Sequence, residues 1–472
     1  MSSVLDRAND FSDRLSPMLV KELRQGLRAK TFVIVFLVLQ GLLGLILLAA
    51  SAGSTSARAG EKVSEIVFVF FSLTVLVIQP LRGIGVLSGE IRGQTIDLMV
   101  LTRLSAMRIV LGKWVAIVSQ SALIAATIFP YLILRYYFGG MSLFAELLMV
   151  LMILLLSAGF TAITVGISAC SSMLVRGILP ILASLPLVMV IFKFGFSGEL
   201  VRLIEVFTFA DVEVTCALLV FLLAVAHIGA CMLSMGASLI APHAENHATP
   251  RRLAALAVLV AVPLLLRAAK VDEDVAPYLW FVFAALPVTM ALTEPISLVP
   301  SIVQKFTARG AAGKLAGRFL YPGWPSGVFY SFVVIGLGVA AVPVMIKNPD
   351  TEEWATLFGL IGSLLLPGLV VVMFDKKIKD RFAVFLLTWA MSFGLSMVMA
   401  AIADEMASKG VLWAFTWSPL ITLPMVHDSH FDKEPVMTIA MVFCALYGAI
   451  LLVRSLATQK VIREVESQSL SE

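Results

Sequence analysis

The sequence predicts an all-α polytopic membrane protein of about twelve transmembrane helices, and three observations carry that reading. Of 472 residues, 60% are hydrophobic and only 14% charged, with a mean hydropathy of +0.97, whereas soluble domains carry about 25% charged residues. Apolar runs of roughly 17 to 25 residues recur along the whole chain, each long enough to cross a ~30 Å hydrocarbon layer as a helix. Lysines and arginines gather in alternate connections between these runs, the positive-inside pattern.

Residues 1–30 are polar and basic. Within them SPMLVKELRQGLR, residues 16–28, sets Val20, Leu23 and Leu27 on one face and Lys21, Arg24, Gln25 and Arg28 on the other. That periodicity is an amphipathic helix lying in the membrane interface. The first span, 31–49, ends at Ala50-Ser51-Ala52. It exceeds the roughly 7–15 residues of a signal h-region and is read as a retained span. The second, 66–86, carries Arg82 near its inner end, within snorkelling reach of the surface. Spans three to six are 113–134, 147–169, 177–192 and 216–239. The fourth has Ala158, Ala162 and Gly166 on a close-packing face, and Pro180 and Pro186 should kink the fifth. Residues 193–214, rich in Phe yet carrying Glu199, Arg202, Asp211 and Glu213, fit a re-entrant helix or an interfacial loop.

Residues 241–252 form a polar break. Beyond it the spans are 253–266, 278–299, 328–346, 354–374, 382–402 and 436–453, the seventh short and reaching the surfaces through Arg252 and Arg267. Residues 411–426 are too short and too Pro-broken to be a thirteenth span; they are re-entrant or lie on the outer surface. With the amino terminus in the cytoplasm, most of the 35 Lys and Arg fall inside, and both termini are cytoplasmic. The expected organisation is a segment 1–30, a six-span domain 31–240, a connector 241–252, a second six-span domain 253–453 and a tail 454–472. Two six-helix halves that both start inside are parallel, not inverted. A long inner stretch, 300–324, follows the eighth span as 87–113 follows the second, and Gly313-Lys314 repeats Gly112-Lys113.

Residues 87–113, LSGEIRGQTIDLMVLTRLSAMRIVLGK, are too polar to span and too apolar for a solvated loop. A lipid-gripping segment would be nearly all basic. This one mixes Glu90, Arg92, Asp97 and Arg103 with Thr95, Thr102 and Ser105, which suits docking on another protein; a passive connector is the alternative. Glu90, Arg92, Gly93, Thr95, Leu98, Leu101, Thr102, Leu104, Ser105, Gly112 and Lys113 resemble the coupling segment of type-2 ABC transporter permeases (the ABC-2 type export family). Gln94 and Arg103 depart from that pattern. The Pro17, Lys21-Glu22-Leu23 and Arg24/Arg28 opening is similar too, and the resemblance is strongest over residues 16–240. It implies the transmembrane subunit of an exporter in the cytoplasmic (inner) membrane, whose substrate is not readable. Glu90, Arg92, Thr95, Asp97, Thr102, Arg103 and Ser105 would then contact a separate cytoplasmic ABC ATPase, with 300–324 as a second candidate contact. A homodimer or a second permease is a further possible partner, and nucleic acid is not expected.

No GxxxxGK[ST] phosphate loop occurs, so ATP and Mg would sit on the partner, with no cofactor and no catalytic role in this chain. Leu87-Ser88-Gly89-Glu90 only superficially matches an ATPase signature. The four cysteines, Cys170, Cys216, Cys231 and Cys444, show no metal or disulfide spacing and read as packing residues. His243 and His247 lack the zinc-protease order. His427, Asp428 and His430 are the strongest, though weak, metal candidate, and no metal is expected. His227, deep in span six, either has a function or packs with a hydrogen bond to a neighbouring helix. A membrane-embedded enzyme would need a polar cluster within the spans, and an ion-coupled secondary transporter would need mid-span carboxylates; the sequence supplies neither.

Overall fold

The computed structural model describes residues 17–53, 59–94, 104–136, 143–197, 211–242, 244–405 and 409–471. These residues form helices and no strand, as a chain in lipid must when every backbone polar group is satisfied internally. Among the described residues, twelve helices are long and apolar enough to cross a membrane, each overlapping a span expected from the sequence. The chain divides into two compact units, residues 1–210 with 232–240 and residues 211–231 with 241–472. The division therefore passes through the sixth span, just ahead of the polar break at 241–252.

In the first unit, α1 (Pro17–Arg28) is the amphipathic helix and α2 (Lys30–Gly53) the first span. The second span, α3, is not a uniform helix. It runs from Ala59–Ser72 through a π-helical turn Leu73–Ile78, then Gln79–Leu81 and a 3-10 turn Arg82–Gly85, into Val86–Arg92. Then come α4 (Ala106–Tyr136), α5 (Leu143–Ile167) and, after a π turn Leu174–Ile178, α6 (Leu179–Phe196). α7 (Val212–Ile240) is shared between the units.

One face of α5 completes the hydrogen bonding of the broken α3. In the π turn the Gln79 N–H reaches Thr74 O, so the next carbonyl, Val75, would need the N–H of Pro80, which has none. Ser157 donates to that carbonyl at 2.6 Å. Thr164 donates to Pro80 O at 2.7 Å, and Ser168 Oγ accepts the Leu87 N–H, at the second position of the next helical segment, at 3.2 Å. Ser157 and Thr164 recur at helical spacing on α5, and Ser168 follows immediately after its end. Gly166, from the small-residue face, lies where α7 approaches closest: a Cβ there would collide with the Met232 backbone. The bundle packs around Phe68, Phe71, Val75 and Ile124. Ile34, Leu37, Leu45 and Leu48 of α2 remain exposed, as lipid-facing residues do.

The second unit contains α8 (Ala248–Ala268), α9 (Ala276–Thr293), α10 (Pro300–Thr307), α11 (Gly310–Leu320), α12 (Trp324–Met345), α13 (Thr351–Met373) and α14 (Arg381–Glu405). After 3-10 turns at Lys409–Phe415 and Pro419–Ile421 come α15 (Thr422–His427) and α16 (Lys433–Ser471). Its core gathers Trp280, Phe283, Val328, Tyr330, Leu364 and Leu451.

Residues 411–426, expected to be re-entrant or to lie on the outer surface, are packed into the second unit. Leu420, Ile421, Thr422, Met425 and Val426 are buried, and Gly359 and Gly362 of α13 leave room for Thr422 and Pro419. Irregular backbone that is buried must find hydrogen-bond partners outside a regular helix. Ser396 donates to Leu420 O at 2.9 Å, the Ser392 and Ser418 hydroxyls pair at 2.6 Å, and Tyr447 donates to Trp417 O.

Several expected bounds change: the third span already begins at Ala106, and the twelfth, expected to stop at 453 before a tail, continues as one helix to Ser471. The seventh span is a full 248–268 helix, so Arg251 and Arg252 belong to it; the eighth ends at Thr293, leaving Glu294 as its cap. Of residues 193–214, 198–210 lie outside the described residues.

Helix contact in the second unit is tightest at Gly327, where a Cβ would collide with the Ala291 carbonyl of α9; Gly336 on the same helix faces open space. Gly327→Ala should lower unfolding free energy in detergent by about 1–3 kcal/mol, the usual cost of overpacking. Gly336→Ala should change it by no more than about 0.5 kcal/mol. Titration of both variants with SDS measures the difference.

Candidate functional site

The stretch 87–113 is the end of α3, a connection, and the first turns of α4. Thr95, Asp97, Thr102 and Arg103 lie outside the described residues. Gln94, the residue that breaks the family spacing, sits at φ 54° just after α3, a left-handed conformation that stops a helix. Ser105 starts α4, its carbonyl accepting the N–H groups of Arg108 and Ile109 at 3.0 and 3.2 Å.

Both edges of the connection meet at one buried cation. Lys113 on α4 is only 4% exposed; its ammonium donates to Glu90 of α3 at 2.9 Å and to Glu22 of α1 at 3.1 Å. A lysine out of water needs such partners. Glu90, expected from the resemblance to face an ATPase, thus spends its carboxylate inside the chain. Arg92 and Arg108 are exposed. α1 is seated by its apolar face: Leu27 joins the core, and Gly26 lets Gln120 of α4 approach. Lys21, Arg24 and Arg28 are exposed on the other face. Beneath, Arg82 does not extend to the surface. It donates to Gln79 at 2.7 Å and to Gln120, with its guanidinium 5.6 Å from the Phe32 ring centroid.

The second unit holds a larger cluster that sequence reading missed. The Glu294 carboxylate takes Arg251 on one oxygen and Arg252 on the other, the latter at 2.7 Å. Arg252, 1% exposed, also donates to the carbonyls of Phe319, Tyr321 and Gly323 at 3.0, 2.8 and 3.2 Å. The Glu294 backbone O accepts from Trp324 N and from Arg381, which also pairs with Asp375. The start of α8, the end of α9, the turn into α12 and the start of α14 are thereby tied together. Arg252, expected to extend to the surface, is instead locked inward, because Glu294 and three carbonyls replace its water shell. The available signal was a pair of arginines and one glutamate at the edges of neighbouring apolar runs.

The metal candidate does not assemble. Both ring nitrogens of His427 are engaged, Nδ1 with Glu352 at 2.9 Å and Nε2 with the Tyr278 hydroxyl at 2.8 Å, while His430 Nδ1 turns to Asp428 at 2.8 Å. Lys433 also pairs with Glu352. Among the described residues no three His, Cys, Asp or Glu side chains gather as a metal set. His227 bonds Phe283 O of α9 at 3.1 Å. Residue 287, four further on, is proline, so that carbonyl lacks a helical donor and the imidazole N–H supplies one.

Twelve membrane-length helices, buried ion pairs at their ends and protein-satisfied breaks within them define a multi-pass α-helical membrane protein. Compared with family models, curated proteins and solved structures, the chain matches none.

Glu294→Gln should leave the fully buried Arg252 without its carboxylate and cost about 3–5 kcal/mol of stability. Arg92→Gln, on an exposed side chain, should stay within about 0.5 kcal/mol. Thermal unfolding of the purified variants distinguishes the two.

Proposed function

We propose that the chain is the permease subunit of an ABC exporter in the cytoplasmic membrane, with cytoplasmic termini and two parallel six-span halves. A separate ABC ATPase binding ATP and Mg would dock on 87–113. The Glu22–Lys113–Glu90 cluster is the observation that supports this most. It joins the interfacial helix and both spans flanking 93–105 at one buried point, so a push on that connection moves three helices together. The exposed Arg92 and Arg108 at its edges leave cations for a partner. The ion-coupled alternative lacks support: Glu294, the carboxylate nearest a span interior in the sequence reading, is neutralised by two arginines.

Reversing Asp97 to Lys or Arg92 to Glu should leave insertion and folding intact while ATPase stimulation or transport falls at least tenfold. Like charges brought together across an interface cost several kcal/mol. Reversal of the exposed Lys347, in the α12–α13 connection, should be silent. Co-purification that recovers no ATPase, or reversals that leave transport unchanged, would sink the reading.

A further inference from the structure

The hairpin of α10 and α11 has a different chemistry from 87–113. Residues 295–324 contain no acidic residue, and the charges there are Lys305, Arg309, Lys314 and Arg318. Lys305 and Arg309 are exposed, and Lys314 and Arg318 half-buried. Leu315 stands 62% exposed among them.

The hairpin is rigidly mounted. Gly313 lets α11 cross α10 against the Phe306 carbonyl, and Gly317 receives the Tyr321 ring. Val303, Tyr321 and Ile462 form a small core with Phe306 and Val465, fixing the hairpin on the far end of α16. Tyr321 donates to Glu466 at 3.4 Å. Burial and that carboxylate push the phenol above its ordinary range, so it remains a donor. Behind the hairpin Arg252 holds the Phe319 carbonyl of α11 and those of Tyr321 and Gly323 in the turn that follows.

The contrast in pairing is what decides the assignment. Arg251, Arg252 and Arg381 at the base each meet a carboxylate, whereas Lys305, Arg309 and Lys314 meet none among the described residues. Uncompensated cations around an exposed leucine, on short helices between two spans, are what an anionic bilayer surface recognises: phosphate for the charges and acyl chains for the leucine. A protein interface would be expected to mix both signs, as 87–113 does. We propose that the α10–α11 hairpin is a binding surface for anionic phospholipid headgroups, which anchors the second unit to the membrane surface.

The test is hydrogen exchange of residues 300–320 in the full chain, reconstituted in nanodiscs of phosphatidylcholine with increasing phosphatidylglycerol. Protection should rise with the anionic lipid and fall as salt is raised. Arg309→Gln should raise the phosphatidylglycerol fraction for half-protection about fivefold, the equivalent of about 1 kcal/mol per surface cation. The triple variant Lys305→Gln, Arg309→Gln, Lys314→Gln should abolish the dependence. Arg309→Lys should keep it, and Lys347→Gln, beyond the opposite end of α12, should not alter it. Equal protection in both lipids would overturn the proposal. So would protection that appears only when a soluble protein partner is added, which would make the hairpin a protein-docking site.

Discussion

The whole architecture depends on the requirement that no backbone N–H or C=O be left bare in hydrocarbon. A chain with prolines in at least seven of its spans cannot meet this by helical ladders alone. The remedies are specific. Ser157 serves the carbonyl that Pro80 cannot pair, and His227 serves the one that Pro287 abandons. Ser396 and Tyr447 satisfy a segment that is not a regular helix. Small polar residues on the span faces are therefore structural currency between helices, and each fixes a neighbour in one register.

Charge obeys the same rule at the helix ends. Lys113 and Arg252 are almost fully buried; Lys113 is met by two carboxylates from other helices and Arg252 by the one that caps α9. A buried ion pair contributes little net stability, but removing one partner is expensive. Such clusters therefore specify which helix ends meet more than they strengthen the fold.

The spans were legible because length and hydropathy set them directly, and a run of apolar residues has few other uses. The seventh misled at its edge. Hydropathy stops at Arg252, whereas the helix starts at Ala248, because Glu294 and backbone carbonyls replace water around the arginines. Partners far apart in sequence, such as Glu22 with Lys113 or His427 with Tyr278, leave no trace in local pattern. For the same reason two histidines three apart suggested a metal pair, while each had its own partner. Glu90 and Lys113 were singled out by resemblance; their joining Glu22 needed the fold.

α16 has a mechanical consequence. It is one helix of 39 residues, about 58 Å at 1.5 Å per residue, and no proline interrupts it after Pro435. Tyr447 holds it to the 411–426 segment partway along, and Ile462 and Glu466 hold it to the α10–α11 hairpin further on. A rod without a joint cannot bend sharply between those attachments. Any tilt imposed near 411–426 must reappear at the hairpin, so the two ends of the second unit share one degree of freedom.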